Sequence, residues 1–139
     1  MVSANPTCII CDLDGTLALI DHRDPYDATL CELDSLNHPV AAVLERFAND
    51  TDIVLVSGRI DTWRTETERW LETHCIPYTK LYMRRAGDRR KDTVLKKEIF
   101  ERHISPQWEV RFVLEDRNQV VVMWRELGLV CFQVAPGDF

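Results

Sequence analysis

No stretch of this sequence approaches the about twenty consecutive apolar residues of a membrane span, and residues 1–6, MVSANP, lack the basic, apolar pattern of a secretory signal. A cytoplasmic protein with no membrane partner is the expectation. Basic residues are too few for broad, nonspecific nucleic-acid binding: Lys and Arg number 17 against 23 Asp and Glu, a formal charge of −6, and affinity for phosphate polymers comes chiefly from accumulated cations. Internal repeats, low-complexity tracts and interdomain linkers are absent, so residues 1–139 read as one domain, long enough to bury a proper core without staples. Cysteines number five, an odd count, and Cys8, Cys11 and Cys131 sit inside apolar runs, which suits reduced, buried thiols. Cys8 and Cys11 do spell C-x-x-C. Residues three apart on a strand point to opposite faces, so the pair reads as core packing rather than a metal or disulfide site. A G-x-x-x-x-G-K-S/T phosphate loop is also missing, which excludes that kind of kinase.

What is present is an alternation of strand-like runs with helical periodicity, the pattern of a parallel sheet covered on both faces. The strands are expected at residues 7–11, 52–57, 79–83, 109–114 and 129–134. Between them, Pro39 opens a helix carrying Val40, Val43, Leu44 and Phe47 at i, i+3, i+4 and i+7. Asp61, Asp92 and Asn118 are expected to cap the next three helices. The first of these holds Trp63 and Trp70 on one face, read as core rather than as a stacking platform; the second has the stripe Leu95, Ile99 and Phe100. Between Leu17 and Pro39 there is room only for a small flap.

In such sheets, ligands bind off the carboxyl ends of the strands. Four polar clusters fall there: Asp12-Leu13-Asp14-Gly15-Thr16, Ser57-Gly58-Arg59, the basic run Arg84, Arg85, Arg89, Arg90 and Lys91, and Glu115-Asp116-Arg117. Singly each has a bland reading, as a turn, a solvated face or a helix cap. Together they suit phosphoryl transfer, where positioning and charge stabilisation supply most of the rate. The two-residue spacing puts Asp12 and Asp14 on one face of an extended backbone, and Gly15 permits the sharp turn after them. Asp12 is then the nucleophile and a Mg²⁺ ligand. Asp14 protonates the leaving oxygen, later deprotonates the attacking water, and offers its backbone carbonyl to the metal. Ser57 bonds a phosphate oxygen, Lys91 neutralises phosphate and Asp12, and Asp116 with Glu115 completes the metal site.

These clusters resemble the four motifs of the haloacid dehalogenase-like (HAD) phosphatases, and the likeness implies a Rossmann-like, three-layer α/β sandwich with a minimal cap. Over nearly its whole length the chain looks like the 3′-phosphatase domain of phage-type polynucleotide kinase/phosphatases. That likeness rests on Asp12 to Leu19, Arg23-Asp24-Pro25-Tyr26-Asp27, Val56-Ser57-Gly58-Arg59, Gly87-Asp88-Arg89-Arg90-Lys91-Asp92, Lys97-Glu98-Ile99-Phe100, Glu115-Asp116-Arg117, 119–125 and 133–139. The resemblance implies catalytic help from Arg23, on a flap, and from Arg59, with Asp88 supporting the motif III lysine, taken as Lys91. Substrate contacts are then expected from Arg23, Ser57, Gly58, Arg59, Arg84, Arg85, Asp88 and Lys91. Motif IV opens with Glu115 where that family usually has Asp, which favours Asp116 as the direct ligand. The implied activity is Mg²⁺-dependent removal of 3′-phosphates from DNA or RNA ends, with a separate or fused polynucleotide kinase or ligase as partner. Hydrolysis of free nucleotides or other small phosphoesters, or a catalytically idle docking module, are the alternatives.

Overall fold

The computed structural model describes residues 5–24 and 26–139. The apolar run Thr7–Cys11 is β1, at the centre of a five-stranded sheet ordered β5-β4-β1-β6-β7. The other strands are β4 (Asp52–Ile60), β5 (Lys80–Arg84), β6 (Glu109–Glu115) and β7 (Cys131–Gln133), and every pairing is parallel. A parallel sheet needs cover on both faces. Helices α1 (His38–Phe47) and α2 (Arg64–Thr73) supply it on one side, packing Leu44, Trp70 and Leu71 onto Ile9 and Cys11. On the other, α3 (Asp92–Ile99) and α4 (Asn118–Glu126) pack Leu95, Ile99, Val120 and Trp124 onto Cys8 and Ile10. The result is the expected three-layer α/β sandwich. Cys8 and Cys11 accordingly serve opposite cores, and all five cysteines are free thiols.

The segment between β1 and α1 is more ordered than a bare loop. Ala18–Leu19 (β2) and Ser35–Leu36 (β3) form a short antiparallel pair at the base of the flap. Asn37 fastens α1 to the turn after β1, its side-chain amide donating to the Thr16 carbonyl at 2.8 Å and its N–H to Leu17 at 2.9 Å.

The structure corrects the expected helix starts. None of Asp61, Asp92 and Asn118 caps with its side chain; the residues at the cap positions are Ile60, Lys91 and Arg117. Each side chain has a stronger partner: Asp61 accepts from the Ala86 N–H at 3.0 Å, Asp92 pairs with two arginines, and Asn118 accepts from Gln133. The second strand also runs longer than the apolar run suggests, so Ser57-Gly58-Arg59 lie within β4 rather than beyond it.

Candidate active site

Asp12 directly follows the central strand, and its buried carboxylate is held from both sides. Oδ1 accepts from Lys96 Nζ at 2.8 Å, and Thr16 Oγ1 stands 3.1 Å both from Oδ2 and from Asp116 Oδ1, with one proton to give. Lys96 also donates to Glu115 Oε2 at 3.0 Å, while Glu115 Oε1 accepts the N–H groups of Asp116 and Arg117. Asp12, Glu115 and Asp116 each present an oxygen within 4.8 Å of one another, and all three are buried. Gly15 makes this possible twice over. Its φ of +85° suits only a residue without Cβ, and a Cβ there would lie 2.2 Å from Asp116 Oδ2.

Asp14 faces a separate network under the flap. Oδ1 accepts from Arg59 Nη2 and from Arg23 Nη2, the latter at 3.2 Å. Both arginines share Asp34, a carboxylate with no solvent exposure of its side chain: Arg23 grips it bidentately at 2.8 and 2.8 Å, and Arg59 approaches to 3.3 Å. Helix α2 secures the set, since Thr67 Oγ1 accepts from Arg59 Nη1 at 2.8 Å and Trp70 Nε1 donates to the Asp34 carbonyl at 2.8 Å.

Four carboxylates (Asp12, Asp14, Asp34 and Glu115) therefore contact three cations (Arg23, Arg59 and Lys96), and a fifth carboxylate, Asp116, stands within the same acidic cluster without an ion pair to any of them. The surplus negative charge is visible in the proton affinities. Burial, then repulsion from Glu115, pushes the Asp12 carboxyl well up despite Lys96 beside it. Burial and the Asp12 charge raise Asp116 to about 6. Burial acts to lower the Lys96 pKa, but Asp12, Glu115 and Asp92 outweigh it and hold the ammonium above its ordinary range. A buried all-oxygen donor set with surplus negative charge fits a small hard divalent cation such as Mg²⁺.

Several sequence expectations change. The lysine on Asp12 is Lys96, fully buried; Lys91 is exposed and lines the adjoining cavity. A lysine at position 96 shares a helix face with Ile99 and Phe100 at i+3 and i+4, which was the one available signal. Asp88 pairs with Arg90 at 2.8 Å rather than with either lysine. Ser57 is buried, its Oγ accepting the Arg59 N–H at 3.0 Å, and it does not line the cavity, whereas Gly58 and Arg59 do. Arg84 lines the cavity while donating to the Gly58 carbonyl at 2.8 Å and to Asp92, whereas Arg85 is exposed away from the cavity. Asp34 was not legible at all. The cavity itself, of about 710 Å³, opens over Asp12, Asp14, Lys96, Glu115 and Asp116, with Arg89 and Lys91 on its wall.

Carboxylates at the tip of a central parallel strand, a buried lysine from the helix opposite and an acidic pair off the neighbouring strand define a HAD-type phosphatase domain. Residues 6–139 match the polynucleotide kinase PNKP phosphatase domain family, and the chain belongs to it. It is 36% identical over 128 residues to a protein of Autographa californica nuclear polyhedrosis virus whose name reads bifunctional polynucleotide kinase/RNA ligase; the match covers 89% of this chain and 18% of that one. Chains in two solved assemblies, the Pnkp1/Rnl/Hen1 complex and the Pnkp1/Rnl/Hen1 RNA repair complex, are each 48% identical with a TM-score of 0.96. Those matches cover 99% of this chain and 49% and 45% of theirs, so the chain spans less than half the length of these relatives.

Proposed function

We propose that this chain is a Mg²⁺-dependent polynucleotide 3′-phosphatase that works through an aspartyl-phosphate on Asp12. The observation that carries the reading is the cluster of Asp12, Glu115 and Asp116 around the single buried ammonium of Lys96, opening onto a cavity with cations on its wall. Asp12 and Asp116 would hold the metal, with Glu115 set back on Lys96 and the Asp14 carbonyl a further donor. The bound ion supplies positive charge that lets a carboxylate approach a phosphate dianion. Asp12 attacks phosphorus and the bond to the 3′ oxygen breaks, that oxygen taking a proton from Asp14. Asp14 then removes a proton from water, which attacks the aspartyl-phosphate and frees Asp12. Arg23 and Arg59 hold the Asp14 carboxyl in place for both transfers. Lys96 offsets the charge of Asp12 and Glu115 throughout.

The flap between β2 and β3 is short, so the mouth of the site stays open enough for a polymer end. The family and the names of its relatives support a role in nucleic-acid end repair beside a kinase or ligase, on the same chain or another. A cytoplasmic setting suits the five free thiols, four of them buried. Among the described residues no helix is long and apolar enough to cross a membrane.

The deciding experiment measures phosphate release from 3′- and 5′-phosphorylated oligonucleotides and from a 3′-mononucleotide, with Asp12→Asn as control. The 3′-phosphorylated oligonucleotide is expected to have the highest kcat/KM, and Asp12→Asn to be inactive. Equal reaction of 5′- and 3′-ends, or faster turnover of the mononucleotide, would replace the polymer-end reading with a small-phosphoester one.

A further inference from the structure

The cavity has a wall that the chemistry above leaves idle. Besides its charged groups it is lined by Tyr26, Trp63 and Phe139, of which Phe139 is 60% and Tyr26 87% exposed. Large aromatic rings normally contribute their area to a core. Trp70 does so, but Trp63, seven residues before it, faces the cavity instead, so the two indoles part company.

Trp63 and Phe139 are also held firmly relative to the reacting groups. Trp63 ends the 3₁₀ turn Asp61–Trp63, and its carbonyl accepts from Thr67 Oγ1 at 2.7 Å. The same hydroxyl oxygen accepts from Arg59, which touches Asp14. Phe139 carries the Arg117 guanidinium over its ring at 5.4 Å, and its carbonyl accepts from Arg117 Nε at 2.8 Å. Arg117 in turn pairs with Asp92 at 3.1 Å. A cation over an aromatic face fixes the ring from one side. The residue as a whole remains 60% exposed.

We infer that Trp63 and Phe139 are stacking contacts for the nucleobases at the end of the polynucleotide, so that the base, and not only the phosphates, recruits substrate. This rests on the phosphatase reading and extends it. The net charge of −6 leaves little room for affinity built from phosphate contacts alone. Stacking supplies an uncharged, sequence-tolerant contribution, since every base has a π face.

The test compares kcat/KM for two 3′-phosphorylated oligonucleotides that differ only in the 3′-terminal residue, one with a base and one abasic. In the wild-type protein the base-bearing end should react about 5- to 150-fold better, the range that stacking one base supplies. Phe139→Leu and Trp63→Leu should each pull that ratio toward one, and Phe139→Tyr should keep it. Because Phe139 is exposed, its replacement cannot collapse the core, and the abasic substrate corrects for any loss of folded enzyme. A wild-type ratio near one, or a ratio that neither leucine variant moves, overturns the inference while leaving the phosphatase intact. Release from neither oligonucleotide overturns the phosphatase reading and this inference with it.

Discussion

Lys96 is the residue whose removal should be felt in two ways at once. It is the one cation in contact with Asp12 and Glu115 among the described residues, and both carboxylates are buried. Lys96→Met strands them, and breaking a buried pair from one side typically costs about 3–5 kcal/mol. The variant should therefore lose phosphate release and melt well below wild type, whereas Lys91→Ala, at an exposed position, should leave the melting temperature unchanged. A Lys91→Ala enzyme as crippled and as unstable as Lys96→Met would contradict the geometry. Asp34→Asn should be nearly as damaging without touching substrate, because Arg23 and Arg59 lose their shared anchor and Asp14 is misaimed; an error of about 1 Å can cost ~10²-fold in rate. Single-turnover phosphorylation of Asp12 is the measurement, with wild-type rates as the refuting result.

Proton linkage gives a third expectation. Asp116 titrates near 6 in the fold against an ordinary 3.8, so its contribution to stability is present below about pH 4 and lost as pH rises through 6; the raised Asp12 extends the loss further upward. A divalent cation binds the ionised carboxylates and reverses that loss. The rise in melting temperature on adding Mg²⁺ in place of EDTA should thus be larger at pH 7.5 than at pH 5. Equal gains at the two pH values would remove these carboxylates as the metal site.

Among the elements, the flap owes its position to a contact that no motif announces. Trp70 lies in the core, yet its indole N–H reaches the Asp34 carbonyl and so ties α2 to the strand pair β2–β3. Trp70→Phe keeps most of the packing but leaves the buried Asp34 carbonyl without that donor, which should cost about 1–3 kcal/mol in urea unfolding on this account, with additional loss from the smaller ring. It should also slow turnover through Asp34, and an unchanged rate would separate the flap from α2. Strands and helices were readable because apolar runs and the 3.6-residue period report burial directly, as at Ile9, Ile10, Leu44 and Leu95. Helix starts were not, since Asp61, Asp92 and Asn118 had partners far along the chain that outcompeted capping. The same reason hid half of the site. Asp12, Asp14 and Asp116 stand in short motifs, but Asp34 and Lys96 acquire their meaning only by meeting residues 25 and 84 positions away.

For the molecule as a whole, on the proposed polynucleotide reading, the charge of −6 sets how a polymer end would be held. Contacts to about two phosphates of a single strand give a log–log salt slope of roughly −1.4, so a fourfold rise in salt should weaken binding only about sevenfold. A much steeper slope would mean that the cations lining the cavity, Arg84, Arg89, Arg90, Lys91 and Arg117 among them, grip more than two phosphates. The sheet order carries a different consequence, one that concerns synthesis. β1 is made first but lies in the middle, with β4 on one side and β6 on the other. As the chain leaves the ribosome, Ile9 and Ile10 have no partner strand until residues 52–60 emerge, and one bare edge until residues 109–115 follow. Glu115 and Asp116 arrive at that same moment, and Gln133, whose side-chain amide donates to the Asp116 carbonyl at 2.9 Å, arrives later still. At ~5–20 residues per second the half-made domain thus carries an open, apolar strand for seconds, in the interval when a chaperone or a neighbouring nascent chain is best placed to take hold of it.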